Sequence, residues 1–160
     1  MRLANFSSIA ETLTKKTTLS TISNLYRKNT PITMMTAHDY PSAQSVSNAK
    51  IDICLIGDSL AMVALGHSNT TEITLSEMIH HSRAVFNGNK TSLLVGDLPF
   101  GSYEISKELA LASAIRYVKE GKVEAVKMEG GKEICEQYLH DNVESSLSHR
   151  WEYQSWVILD

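Results

Sequence analysis

The stretch SLLVGDLPFG, residues 92–101, decides how the chain folds. Its apolar run stops at an acid, Asp97, and a proline and a glycine then turn the chain. Continuous apolar runs of this kind are typical of strands that are buried on both faces, as in parallel sheets. The sequence therefore predicts a buried strand that ends directly at an acid.

Two other apolar runs end in the same way. ICLIG, residues 53–57, is followed by Asp58, and AVKM, residues 125–128, is followed by Glu129. Each of these acids is separated from Asp97 by about the length of one βα unit. The repetition predicts that all three acids lie at the same end of one sheet, on neighbouring strands.

Helical patterns lie between these strands and complete an α/β alternation. The predicted strands are 32–40, 51–59, 91–97 and 123–131, and the predicted helices are 41–50, 74–88, 102–121 and one that begins at 132. Thr74 followed by Glu77 forms a capping-box signature, and Ser106 is a second predicted helix cap. Alternation of this kind predicts parallel pairing, in either a doubly wound sheet or a (β/α) barrel. Both architectures bind ligands at the carboxyl ends of their strands.

Asp58, Asp97 and Glu129 together predict a metal site. Three carboxylates that crowd one sheet edge repel each other, and a cation relieves that repulsion. Hard oxygen ligands suit Mg²⁺, which keeps coordination positions open for water or substrate. Taken singly, each acid has a simpler interpretation, because Asp58 and Asp97 also suit turns or helix caps and Glu129 also suits a solvated loop.

Two residues beside the acids are candidate substrate contacts. Lys127 lies two residues before Glu129, so strand alternation places both side chains on one face. A lysine beside a carboxylate cluster indicates an anionic substrate, although a surface Lys–Glu pair would have the same spacing. Ser59 follows Asp58 and suits either a hydrogen bond to a substrate carboxylate or a helix cap.

The histidines are weaker candidates for chemistry. His80 and His81 fall inside a predicted helix rather than at a strand end, so packed or solvent-facing side chains are expected. His38 lies at the end of the first predicted strand, where a loop role is expected. Asp39 and Tyr40 suit either the rim of the same site or the cap of the next helix.

Composition excludes several classes of partner. The chain has 160 residues and a formal net charge of −3, with no basic stripe, which argues against a nucleic-acid partner. No apolar run approaches the roughly 18–20 residues of a membrane span. Cys54 and Cys135 have no metal-ligand spacing, and a reducing compartment is the simplest interpretation.

Residues 1–16 differ from the rest of the chain. They are rich in Ser and Thr and carry Arg2, Lys15 and Lys16 against one acid, Glu11. This composition is typical of a mitochondrial presequence, which would place the protein in mitochondria rather than in the cytoplasm. The alternative is an unstructured terminus that leads into a short helix.

Four motifs also carry a resemblance to a known family. They are TAHDYPSA (36–43), DICLIGDSLAMVALGHSNT (52–70), LLVGDLPFGSY (93–103) and AVKMEGG (125–131). In this order and spacing they resemble the N-terminal half of the ketopantoate hydroxymethyltransferases, from about residue 17 to about residue 136. The resemblance implies a TIM barrel enzyme of pantothenate and coenzyme A biosynthesis. Its reaction moves a one-carbon unit from 5,10-methylenetetrahydrofolate to the 2-oxo acid 3-methyl-2-oxobutanoate.

The resemblance also implies roles for individual residues. The Mg²⁺ ligands fall on Asp58, Asp97 and Glu129, and the substrate contacts fall on Asp58, Ser59, Asp97 and Lys127. The family's catalytic base is a glutamate on a later strand, and no residue of this chain matches it. Relatives of this family form homo-oligomers, which the resemblance extends to this chain.

The chain departs from the family at three places. His38 stands where the family usually has tyrosine, Ala61 stands where glycine is common, and residues 137–160 have no counterpart. The expectation is a partial (β/α)8 barrel of about four βα units with a divergent tail, truncated relative to the family. Such a unit leaves its first and fourth strands as open edges. Two alternatives stay open: another Mg²⁺-dependent 2-oxo acid enzyme of the phosphoenolpyruvate mutase or isocitrate lyase type, and a non-catalytic fragment.

Overall fold

A five-stranded sheet flanked by helices forms the centre of the molecule. The computed structural model describes residues 15–130 and the backbone of residues 154–157. The helices are α1 (Leu19–Arg27), α2 (Tyr40–Asn48), α3 (Leu60–Val63), α4 (Leu75–Gly88) and α5 (Lys107–Arg116), which a π-helical turn continues (Tyr117–Gly121). The strands are β1 (Met34–Thr36), β2 (Ile53–Ile56), β3 (Leu93–Asp97), β4 (Ala125–Glu129) and β5 (Gln154–Val157). None of the described helices has the length and apolar character needed to cross a bilayer.

Strand order distinguishes between the two predicted architectures. The sheet order is β1-β2-β3-β4-β5, and the first four strands pair in parallel. A doubly wound sheet reverses its strand order at a switch point, whereas barrel strands follow one another in chain order. The four parallel strands with their helices therefore have the arrangement of a partial (β/α)8 barrel, and the predicted α/β fold class is confirmed.

The fourth strand is not an open edge, contrary to the expectation from the sequence. β5 pairs with β4 in antiparallel orientation, with Val126 opposite Val157 and Glu129 opposite Gln154. The unpaired backbone groups of an edge strand accept any extended segment that reaches them, and here the tail supplies one. Most of the predicted presequence, the helix predicted to begin at 132 and the rest of the tail lie outside the described residues.

Strand alternation produces two apolar layers. The residues that face α2, α4 and α5 include Cys54, Ile56, Leu94, Val126 and Met128, all buried. The opposite face carries Leu55, Leu93, Val95 and Ala125, against which Leu19 and Ile22 of α1 pack. Because the second face also carries Asp97 and Lys127 at its carboxyl end, α1 and the site lie at different ends of the same face.

One buried tyrosine fixes the packing between β3 and the helices. Tyr117 is fully buried, and its hydroxyl accepts a hydrogen bond of 2.9 Å from Ser82 on α4. A Cβ atom added at Gly96 would lie 2.6 Å from two carbons of the Tyr117 ring. Glycine is therefore required one residue before Asp97, because no other side chain leaves room for the ring.

The helix caps confirm several sequence predictions. Thr74 and Glu77 form the predicted capping box of α4, and Ser106 caps α5 through the Leu109 N–H. Asp39 caps α2 by accepting a 2.8 Å hydrogen bond from the Ser42 N–H, which supports the capping alternative for this residue. Cys54 is buried, and burial raises the pKa of its thiol to about 12, so it packs as an apolar residue.

Candidate active site

The three predicted acids lie at the same end of the sheet. Asp97 is the last residue of β3, Glu129 is the last residue of β4, and Asp58 follows the end of β2 by two residues. Asp97 and Lys127 are register partners on adjacent strands, so their side chains point to the same face. The βα spacing thus correctly predicted that the three acids lie at one end of the sheet.

Lys127 joins two of the acids. Its Nζ lies 2.8 Å from Asp97 Oδ1 and donates a 3.0 Å hydrogen bond to Glu129 Oε1. The Lys127 and Asp97 side chains are 4% and 7% exposed, whereas the Glu129 side chain is 63% exposed. The predicted common face of Lys127 and Glu129 is confirmed, and the burial of Lys127 rules out a simple surface pair.

Asp97 also links the ends of three strands. Its Oδ2 accepts a 3.3 Å hydrogen bond from the backbone N–H of Asp58, while its Oδ1 faces Lys127. Thr70, in the loop after α3, lies close enough to the carboxylate of Asp58 to act against the increase in its pKa. The motif that carries the resemblance included Thr70 without a role, because a contact between a loop and a strand end has no signature in sequence spacing.

Burial dominates the electrostatics of the site. It raises the pKa of Asp97 to about 6, even though the Lys127 ammonium acts in the opposite direction. Burial also raises the pKa of Asp58, and the Glu129 carboxylate adds to that increase. For Lys127, burial alone would lower the pKa, but the charges and hydrogen bonds of Asp97 and Glu129 outweigh burial, so the net pKa is raised. The site therefore carries excess negative charge, and its Asp97 carboxylate is poorly solvated.

The donor set suits a divalent cation, although the side chains do not form a closed cluster. Apart from its ion pair with Lys127, the buried Asp97 Oδ1 has no hydrogen-bond partner among the described residues. In the same part of the chain, no three acidic, histidine or cysteine side chains converge as metal ligands usually do. A buried carboxylate oxygen with a spare lone pair and an exposed, rotatable Glu129 fit Mg²⁺ in ligand type. The assignment of Asp58, Asp97 and Glu129 as its ligands stays a prediction.

Ser59 is exposed beside Asp58. It precedes α3 but makes no capping hydrogen bond with its side chain, so the capping alternative is not observed. Its hydroxyl lies near Gly57, 3.1 Å from where a Cβ atom on that glycine would be. The contact between the Ser59 hydroxyl and a substrate carboxylate stays a prediction.

Sequence reasoning assigned no role to Tyr103, although this residue contacts the site. Its buried hydroxyl donates a 3.0 Å hydrogen bond to the carbonyl of Glu129 and accepts a 3.1 Å hydrogen bond from the Glu129 N–H. Burial raises the pKa of the phenol. A tyrosine shortly after a strand-ending proline turn was the available signal, but spacing alone does not show which strand it reaches.

The histidine expectations agree with the structure. His80 is exposed, and Nδ1 of His81 lies 2.7 Å from the backbone carbonyl oxygen of His38. This contact joins α4 to the chain that leaves β1. His81 thus packs between elements, as expected for a histidine inside an amphipathic helix.

In a comparison with known protein families, residues 16–144 match the family model described as ketopantoate hydroxymethyltransferase. A relative from Emericella nidulans, named 3-methyl-2-oxobutanoate hydroxymethyltransferase, is 56% identical over 76% of this chain and 35% of its own length. One from Ignicoccus hospitalis with the same name is 46% identical over 77% of this chain and 46% of its own length. A third from Oryza sativa subsp. japonica, named 3-methyl-2-oxobutanoate hydroxymethyltransferase 1, mitochondrial, is 52% identical over 74% of this chain. The chain spans between 29% and 46% of the length of such relatives.

Solved structures with a similar fold come from another group of enzymes. A trigonal crystal form of 2,3-dimethylmalate lyase, a member of the PEP mutase/isocitrate lyase superfamily, aligns with a TM-score of 0.52 at 16% identity. The alignment covers 69% of this chain and 38% of that one. At this identity the similarity supports the partial barrel fold alone. It therefore does not favour the alternative function of that type over the sequence match.

Proposed function

Because the chain belongs to the ketopantoate hydroxymethyltransferase family, we propose that it supplies the metal-binding and substrate-binding residues of such an enzyme. The enzyme would transfer a one-carbon unit from 5,10-methylenetetrahydrofolate to 3-methyl-2-oxobutanoate. The observation that carries the proposal is the buried Lys127 ammonium between Asp97 and Glu129 at the strand ends. The same proposal includes mitochondrial localisation, supported by the basic residues 1–16, and assembly into a homo-oligomer.

The charge of the site supports a divalent cation. Three carboxylates and one ammonium leave a charge of about −2, and burial makes that charge unfavourable without a counter-ion. Asp58, Asp97 and Glu129 would hold Mg²⁺, and Glu129 is exposed enough to rotate toward it. When bound, Mg²⁺ would act as a Lewis acid on the oxygens of the 2-oxo acid.

Lys127 and Ser59 would bind and orient the substrate. The Lys127 ammonium stays protonated across the neutral range because its two carboxylate partners raise its pKa. It would attract the substrate carboxylate, and the exposed Ser59 hydroxyl would donate a hydrogen bond to it. Fixing the substrate at two points limits its rotation, which is a major part of the advantage that an active site gives.

Removal of the C3 proton requires a base that the described residues do not provide. A positioned general base contributes on the order of 10²–10⁴-fold to a rate. Asp58 and Asp97 have raised pKa values, but both are assigned to the cation. We therefore expect this chain to bind the 2-oxo acid with Mg²⁺ and to show no useful turnover by itself.

A non-catalytic role is the second candidate, and the pairing of β5 favours it. A barrel continues from its fourth strand by parallel pairing, whereas here an antiparallel strand occupies that edge. With β5 in place, a fifth parallel strand has no access to β4. The two candidates differ in whether the bound 2-oxo acid reacts.

Isothermal titration of the 160-residue chain tests the proposal. We expect 3-methyl-2-oxobutanoate to bind only when Mg²⁺ is present, and Asp58→Asn and Lys127→Met to abolish that binding. Glu108→Gln, which removes an exposed acid on α5, is the control and should bind as the unchanged chain does. Binding that does not depend on Mg²⁺ contradicts the proposed site. A one-carbon transfer assay with the folate then separates the catalytic candidate from the non-catalytic one.

A further inference from the structure

Tyr103 makes a two-way contact with the backbone of Glu129. Its hydroxyl donates to the Glu129 carbonyl at 3.0 Å and accepts from the Glu129 N–H at 3.1 Å. The Tyr103 side chain is buried, whereas the Glu129 side chain that it supports is 63% exposed. One buried hydroxyl thus holds the backbone of an acid whose own side chain is solvent-exposed.

The contact completes a hydrogen-bond ladder that β3 leaves unfinished. The Leu98 N–H donates a 2.9 Å hydrogen bond to the Lys127 carbonyl, which is the last backbone bond between the two strands. The chain then turns away from β4 at Pro99. Two residues further along β4, the backbone groups of Glu129 on the same side would lack a strand partner. The Tyr103 hydroxyl takes the place of that partner for both groups.

The loop that carries Tyr103 is itself anchored. The Ser102 hydroxyl donates a 2.6 Å hydrogen bond to the Pro99 carbonyl, and the Ser113 hydroxyl of α5 donates a 2.7 Å hydrogen bond to the Ser102 carbonyl. The hydroxyl of Tyr103 is thus held in position from α5 as well as by its own burial. A fixed donor and acceptor limits the backbone freedom of Glu129.

We propose that Tyr103 is a positioning residue that holds Glu129, through its backbone, where its carboxylate reaches both Lys127 and the cation. The inference rests on the proposed function, because it assigns Glu129 to the cation. Groups that orient metal ligands typically change metal affinity by about 10–100-fold when they are removed. The Tyr103 hydroxyl is such a group, although it acts on the ligand's backbone rather than on its side chain.

The test measures Mn²⁺ binding by electron paramagnetic resonance in the full chain. Tyr103→Phe keeps the buried ring and removes both hydrogen bonds, and we expect it to weaken Mn²⁺ binding by about 10-fold or more. Tyr26→Phe is the control, because it removes a tyrosine hydroxyl on α1, which lies at the other end of the sheet face from Glu129. The control should change Mn²⁺ affinity by less than about 2-fold, as expected for a group without contact to a ligand.

A double-mutant cycle separates positioning from a general loss of stability. In a Glu129→Gln background, Tyr103→Phe should have little further effect on Mn²⁺ affinity, because the residue it positions has already lost its charge. Equal effects in both backgrounds would overturn the proposal and leave the cation site standing. If the unchanged chain binds no Mn²⁺, the proposed cation site and the role of Tyr103 both fail.

Amide hydrogen exchange tests the contact without any substitution. In the unchanged chain the Glu129 amide should exchange at least about 10-fold more slowly than the amide of the exposed Gly66, because its hydrogen is bonded to a buried hydroxyl. Exchange as fast as that of Gly66 would show that the contact is absent and would overturn the proposal even if Tyr103→Phe does not fold.

Discussion

Replacing Lys127 by methionine should destabilise the fold strongly and in a pH-dependent way. Methionine keeps an unbranched apolar side chain and removes the ammonium, so the Asp97 side chain, 7% exposed, becomes a buried carboxylate without its ion-pair partner. Breaking a buried pair by removing one partner typically costs about 3–5 kcal/mol. We expect a loss of unfolding free energy in that range at about pH 8, where Asp97 is ionised.

The pH dependence follows from the pKa of Asp97. Folding raises that pKa from 3.8 to about 6, so ionising this group costs the folded state on the order of 3 kcal/mol as the pH rises through that window. Without Lys127 the pKa rises further, because the attraction that favoured the charged form is gone. The loss of unfolding free energy in the variant is therefore largest above the Asp97 pKa of both folded proteins, the unchanged chain and the variant. It decreases as the pH falls through about 6, where a proton neutralises Asp97 in both proteins.

Urea unfolding followed by circular dichroism, with EDTA present, measures this deficit at about pH 5 and about pH 8. Lys119→Met is the matched control, because Lys119 is exposed at the end of the α5 segment. It should change the free energy of unfolding by less than about 0.5 kcal/mol at either pH. A Lys127→Met deficit that is equal at the two pH values, or below about 1 kcal/mol at about pH 8, refutes the reasoning.

Three further predictions concern other parts of the chain. Gly96→Ala should lower the free energy of unfolding by about 1–3 kcal/mol, because its Cβ would lie 2.6 Å from the Tyr117 ring, and an unchanged urea midpoint would contradict that packing. Asp39→Ala should cost about 1 kcal/mol in the same measurement, because α2 loses its N-cap, whereas Asp39→Asn should cost less since asparagine also caps. A reporter fused to residues 1–30 should enter mitochondria, and a diffuse cytosolic signal would count against the presequence.

The covering of the β4 edge bears on how the chain behaves in solution. An uncovered strand edge promotes pairing with other chains, and the sequence predicted two such edges. β5 covers the one at β4, whereas β1 lies at the other end of the sheet order with Met34 and Met35 exposed. The two edges of the described sheet are therefore β1 and β5, and any self-association through a strand edge should involve one of these rather than β4.

The sequence alone was enough to place the acids. The apolar runs before Asp58, Asp97 and Glu129 predict buried parallel strands, and parallel strands present their carboxyl ends at one edge. Local rules also predicted the capping box of α4 and the common face of Lys127 and Glu129, because caps and strand alternation depend on residues only two or three positions apart. Such features follow from the covalent geometry of the chain.

Tertiary structure decided the features that depend on residues far apart in sequence. Pairing of Lys127 with Asp97 depends on the register between β3 and β4. The hydrogen bonds between Tyr103 and Glu129 depend on how the loop between β3 and α5 packs against β4. The raised pKa of Asp97 likewise arises from burial by several elements at once. Strand order and the antiparallel β5 complete this group, since strand patterning predicts that a segment pairs but not which neighbour it meets. Spacing along the chain thus determined which residues approach the site, and packing between elements determined what each of them contacts there.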